Sequence, residues 1–164
     1  MRSELTESEV QKFFEKVVSF FEAKEIEAIA QGQQERSLTK NQIGPALKEF
    51  VTKIGIPQIV VRYDGHNPVR PLLRHGMTFL PDAQASLGSH KILAIEVKIL
   101  RDSDSSGSLS KAIGQTFMYR ALGFEMSLGL IFDNRSKSYG GLEIPLSAID
   151  QTENRVKFIL FNAN

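Results

Sequence analysis

Two carboxylates and an ammonium carry most of the chemistry this chain can offer. Asp82 follows Pro81, and Ile95-Glu96-Val97-Lys98 sits inside an apolar run from Ile92 to Leu100. The length and β-branched content of that run predict a buried strand. Residues two apart on a strand share a face, so Glu96 and Lys98 point the same way. Asp82 lies on the preceding extended segment, and a hairpin through Gly88-Ser89 can bring it beside Glu96. Charges gathered in an apolar setting need chemistry or pairing to offset their desolvation. The plainer alternative is an exposed strand end with a cross-strand ion pair. Glu22-Ala23-Lys24 repeats the same triplet in a helical context. There the two charged side chains point about 200° apart and cannot form one site.

Composition narrows the chemistry further. The chain has no cysteine, so disulfides and thiolate metal sites are excluded. Any metal must be held by oxygen or imidazole, which favours Mg²⁺ or Mn²⁺ over Zn²⁺. His66, His75 and His90 show no metal-ligand spacing among themselves. The formal net charge is only +1, so bulk charge does not mark a nucleic-acid binder. The local distribution is less even. Arg62, His66, Arg70, Arg74 and His75 face a single acid, Asp64, just before Pro81-Asp82. A basic stretch beside an acidic site suits a polyanionic substrate, although a solvated loop would look the same. Arg62, Arg70, Arg74 and His75 are therefore the candidates for contacting nucleic acid. No nucleophile elbow, Walker loop or GxGxxG occurs, which leaves acyl transfer, NTP hydrolysis and dinucleotide redox without support.

The elements that must position these residues follow from periodicity. Thr6 to Glu9 reads as a capping box. Val10, Phe13, Phe14, Val17, Phe20, Phe21 and Ala28 then predict an amphipathic helix to about Ala30. Gly32 to Ser37 reads as a polar connection. A second helix is expected from Thr39 or Asn41 to Gly55-Ile56-Pro57, with Pro45 tolerable only near its first turn. Ile59 to Val61 reads as a strand, Asp64 to Arg74 as a loop, and Met77 to Ala85 with Lys91 to Leu100 as a hairpin. Asp102 to Ser110 is Ser-, Asp- and Gly-rich and reads as a loop. A third helix is predicted from about Leu109 to Gly123. Ser127 to Phe132 is a buried strand, Ser136 to Gly141 a turn, and Val156 to Phe161 a final strand.

This order predicts an α/β fold, a small mixed sheet flanked by helices. The 164 residues suit a single domain, with 1–36 as an N-terminal helical extension and 37–164 as the core. No apolar run reaches the length of a membrane span, the first residues lack a signal-peptide core, and a cytoplasmic location is expected.

Gln115 and Tyr119 lie four apart on the third predicted helix and stack on one face. Leu109, Ile113, Phe117 and Ala121 form a separate stripe available for packing.

Together these residues resemble the PD-(D/E)XK nuclease superfamily. The likeness rests on Pro81-Asp82, Glu96-Val97-Lys98 and the pentad Gln115-Thr116-Phe117-Met118-Tyr119. That pentad is similar to the QxxxY motif of the RecB-like and phage-exonuclease branch. The resemblance covers roughly Met77 to Asp133. The flanking elements follow the order of that family's restriction-endonuclease-like αβββαβ core, with an extra N-terminal helix.

The resemblance implies a Mg²⁺- or Mn²⁺-dependent DNA nuclease. Asp82 and Glu96 would ligate the metal with help from the Val97 carbonyl. Lys98 would orient the attacking water or stabilise developing charge, and Gln115 and Tyr119 would support the site from the helix. Such families often add an acid from an early helix, for which Glu35 and Glu49 are both open. Glu49 lies nearly opposite the apolar stripe of its helix, which suits a solvated face, and Glu35 falls in the polar connection. With no second recognition domain in view, a homodimer or a partner protein would supply target recognition. The alternative is a catalytically silent DNA- or partner-binding subunit on the same fold, against which stands the cost of keeping two unpaired carboxylates buried.

Overall fold

The computed structural model describes residues 4–26, 33–74, 76–104, 106–136 and 143–162. Helix α1 (Glu7–Ala23) starts where the Thr6 N–H donates to the Glu9 carboxylate at 2.9 Å. It buries Val10, Phe13, Phe14, Val17 and Phe21. The helix stops at Ala23 rather than running to Ala30. Lys24 turns extended as its N–H bonds the Phe21 carbonyl, and 27–32 lie outside the described residues. Helix α2 (Glu35–Leu38) then opens a helical stretch that passes through one π-helical turn (Thr39–Ile43) into α3 (Gly44–Lys53). Pro45 sits in the first turn of α3, directly after the π-helical turn. The ring of Phe50 on α3 packs against Phe13 of α1, centroids 5.2 Å apart and perpendicular.

The main sheet has five strands in the order β1 (Ile59–Tyr63), β4 (Ala83–Leu87), β5 (His90–Leu100), β6 (Met126–Asp133) and β7 (Val156–Asn162). The first three are antiparallel and the last three parallel, so the sheet is mixed. Gly88 at φ +60° makes the two-residue turn joining β4 to β5, with Leu87 opposite His90. Helix α4 (Ser106–Ala121) connects β5 to β6, and α5 (Glu143–Ile149) connects β6 to β7. Helices thus cover both faces. Leu93, Ile95, Val97 and Ile99 of β5 share the main core with α1 and α3, and Ala94 packs with Tyr119 of α4. Among the described residues, no helix is long and apolar enough to cross a membrane.

Several sequence expectations are corrected here. Met77 to Ala85 is not one strand. It splits into β3 (Met77–Phe79), which pairs with β2 (Leu72–Arg74) in a separate two-stranded sheet, and β4. The break falls at Leu80-Pro81-Asp82, where Pro81 has no N–H to give a ladder. Leu72–Arg74 was expected as loop, and its pairing with β3 makes it strand. Helix α4 begins at Ser106, inside the expected Ser-rich loop. Helix α5 had no counterpart in the reading, and 137–142, where a turn was expected, lie outside the described residues.

One glycine seats α4 on the sheet. Gly129 of β6 is the register partner of Glu96, and a Cβ there would come within 2.5 Å of the Phe158 ring and 3.1 Å of Thr116 Oγ1. Gly129→Ala is therefore expected to destabilise the fold by about 1–3 kcal/mol through overpacking, read as a lower urea midpoint. An unchanged midpoint would contradict this close approach.

Candidate active site

Strand β5 overhangs its neighbour. Its pairing with β4 ends at Ala83 opposite Ile95, so Glu96 to Leu100 have no strand on that edge. The N–H groups of Val97 and Ile99, which face that edge, need acceptors. Carboxylates fill the gap. The Val97 N–H donates to Asp82 Oδ2 at 2.8 Å, and the Ile99 N–H donates to Glu35 Oε1 at 3.2 Å. The Asp82 N–H in turn donates to the Ile95 carbonyl at 3.0 Å, which fixes the Pro81-Asp82 segment along the strand. On a strand the N–H and C=O of one residue face the same edge, so the Val97 carbonyl opens toward the same gap as Asp82.

Glu96 and Lys98 share the face of β5 turned toward α4. Glu96 is 9% exposed, and its Oε2 accepts the Tyr119 hydroxyl at 2.6 Å. Tyr119 is fully buried, and the buried line of α4 runs through Ala112, Thr116 and Tyr119. Ala121, expected on the packing stripe, is exposed instead. Gln115 is half-buried one turn before Tyr119. The Lys98 ammonium donates to Glu35 Oε1 at 2.8 Å, with Asp104 at 3.9 Å.

Glu35 and Glu49 part company. Glu35 opens α2 and reaches the overhang directly. Glu49 is held by Lys24 at 2.7 Å and Lys53 at 2.6 Å on an exposed face, and the two cations pull its carboxyl down to about 2. It belongs to that surface ion-pair cluster.

The electrostatics of the buried pair run the other way. Burial pushes Asp82 up to about 6, helped by the charge on Glu35 and opposed by the Val97 N–H and Lys98. Burial likewise pushes Glu96 up to about 8, helped by Asp82. Burial beside these acids also raises the Tyr119 hydroxyl. Asp133 shows the contrast: Arg135 at 2.6 Å holds it below the usual carboxylate range despite its burial. Neither Asp82 nor Glu96 has an ion-pair partner among the described residues.

A divalent cation fits this donor set by charge and by ligand type. Two hard carboxylates and a strand carbonyl are oxygen donors, with a third acid nearby that is paired to Lys98. The side chains do not stand as a finished cage: among the described residues, no group of three or more Asp, Glu or His is arranged to hold a metal. Glu35 is turned to Lys98 instead.

The basic candidates divide. Arg62 is half-buried, with its Nε lacking a partner among the described residues and its Nη1 3.4 Å from the Pro68 carbonyl. Arg70 and Arg74 are exposed around β2, and His75 lies outside the described residues. A groove of about 740 Å³ runs from Arg36, Asp64 and His66 to Leu80, Pro81 and Asp82, giving the site an approach from solvent. His90, the first residue of β5, is half-buried with its Nε2 3.2 Å from Glu125 Oε1. Sequence reasoning missed Gln84, a buried amide two residues beyond Asp82 whose Nε2 has no partner among the described residues. No spacing motif marks it.

The raised acids make a pH signature. Both bind a proton more tightly folded than unfolded, so their contribution to stability is full below about pH 4 and is lost as pH rises through about 6 and then 8. Glu96→Gln keeps an acceptor for Tyr119 without the charge. In EDTA it is expected to melt several degrees above wild type near pH 9 and close to it near pH 4. A difference that does not grow with pH would contradict the buried arrangement. Compared with family models, curated proteins and solved structures, the chain matches none.

Proposed function

We propose that this chain is a Mg²⁺- or Mn²⁺-dependent DNA nuclease built on a restriction-endonuclease-like fold of the PD-(D/E)XK kind. The observation that carries the reading is half-buried Asp82 and buried Glu96 at a strand overhang with Lys98, neither acid having an ion-pair partner among the described residues. The helix–strand order around β1, β4, β5, α4 and β6 supports it, as does the Tyr119–Glu96 hydrogen bond at the end of the Gln115–Tyr119 pentad.

Asp82, Glu96 and the Val97 carbonyl are the groups that would hold the ion. When bound, the ion lowers the pKa of a coordinated water and neutralises charge on the scissile phosphate. The protein does the rest. Tyr119 fixes the Glu96 carboxylate through Oε2 and leaves its second oxygen for a ligand. Lys98, a compact donor with three protons, sits where it can orient a water or meet charge on a phosphate oxygen. Glu35 holds Lys98 in that position and supplies a third acid close by. Gln115 offers an amide from the same helix face as Tyr119. DNA is the proposed substrate, with a second copy or a partner protein placing the site on its target.

Asp82→Ala and Glu96→Ala are expected to abolish Mg²⁺-dependent cleavage across linear, circular, single-stranded and branched DNA. Lys98→Ala should lower it by about 10²–10³. Tyr119→Phe, acting through Glu96, should weaken Mn²⁺ affinity about 10–100-fold and leave a residual rate. Cleavage at wild-type rate by all three alanine variants would refute the assignment. Mn²⁺ binding without any cleavage would favour the silent binding subunit.

A further inference from the structure

The large hydrophobic side chains left exposed among the described residues are Leu73, Met77, Leu80 and Met118. Three of them belong to one short segment, the β2–β3 hairpin and its exit toward Asp82. Leu73 is 74% exposed, Met77 55% and Leu80 54%. The hairpin is not loosely attached. Its base pair, Leu72 opposite Phe79, packs on Ala94, Tyr119 and Phe124, the wall behind Glu96. The chain then runs straight on into Pro81-Asp82.

One groove beside this segment carries charged residues of one sign. A groove of about 500 Å³ is lined by Arg70, Leu72, Leu73, Arg74, Lys91 and Leu122, with no acid in the lining among the described residues. Lys91 also donates to the Leu122 carbonyl at 2.9 Å, which covers the end of α4. Leu80 lines the groove that ends at Asp82. The segment thus borders two grooves, one whose charged lining residues are all cations and one that reaches the acidic site.

Phosphate backbones need cations, and aliphatic side chains bind the faces of unstacked bases. Surface leucine and methionine flanked by arginines match that combination. They match a protein partner less well, since an apolar protein interface has no need of three cations and no acid. Resting on the nuclease reading, we infer that the β2–β3 hairpin is a wedge selecting DNA with an exposed base face, as at a fork. Leu73 on one face of the hairpin and Met77 on the other abut the bases, and Arg70 and Arg74 hold the phosphates of the strand leaving the site.

The test is equilibrium binding of the full chain in EDTA, where no cleavage intervenes. The probes are a fluorescent forked duplex and a dumbbell duplex closed at both ends. Leu73→Ser with Met77→Ser is expected to weaken fork binding about tenfold and leave dumbbell binding unchanged. Arg70→Ala with Arg74→Ala should weaken both, lowering the slope of log affinity against log salt by about 2. Unchanged melting temperatures show that either variant still folds. Equal fork binding by wild type and the serine variant overturns the wedge. Metal-dependent cleavage by wild type would in that case leave the nuclease reading standing. Fork-selective binding by a chain that never cleaves keeps the wedge and removes the nuclease. A serine variant that turns a dimer into a monomer, with DNA binding unaltered, makes the hairpin a protein interface and also overturns the inference.

Discussion

A strand longer than its neighbour is the constraint from which the site follows. Strand β5 continues past the end of β4, and its next ladder donors are taken up by side-chain oxygens instead of backbone carbonyls. A buried N–H left unpaired costs on the order of 1–3 kcal/mol, so this edge needs acceptors. Asp82 and Glu35 meet that need with carboxylates, which places acids at a partly buried edge as a direct consequence of finishing a sheet. The same pleat turns Glu96 and Lys98 onto the α4 face, where Tyr119 waits. Sheet completion and site assembly are one event.

What distinguishes this cluster from the other charged groups is the lack of compensation. Glu49, Asp133 and Asp64 each have a cation within about hydrogen-bonding distance, at 2.6 to 2.7 Å. At the overhang the one ammonium, Lys98, is engaged by Glu35, and Asp82 and Glu96 are left to be destabilised by burial and by each other. Removing unpaired charge from water is expensive, and proteins retain such arrangements chiefly where a bound ion or a reaction uses them.

Much of this was legible in the chain because it depends on local periods. Apolar residues from Ile92 to Leu100 mark a strand, alternation puts Glu96 and Lys98 on one face, and Gly88-Ser89 sets the turn that returns β4 alongside. The four-residue step from Gln115 to Tyr119 gives one helix face. The parts that escaped are set by contacts between distant segments. Glu35 reads as connection because nothing within its own neighbourhood reveals that α2 docks on the overhang some sixty residues further along. Glu49 and Glu35 are equivalent by composition and separated only by which cations fold against them. The split of Met77 to Ala85 into two strands turns on Pro81, whose effect depends on whether a ladder partner is present. Arg62 looks like its basic neighbours in sequence, yet cross-strand pairing with Gln84 draws it partly inside.

Anomalous diffraction at the manganese edge, from crystals of the wild-type chain grown with Mn²⁺ near pH 8, bears most directly on the central claim. The expected result is a peak in coordination range of the Asp82 and Glu96 carboxylates and the Val97 carbonyl, with Lys98 beside it. Density showing the two carboxylates in their ion-free positions, with no peak between them at saturating Mn²⁺, would contradict a metal-dependent site.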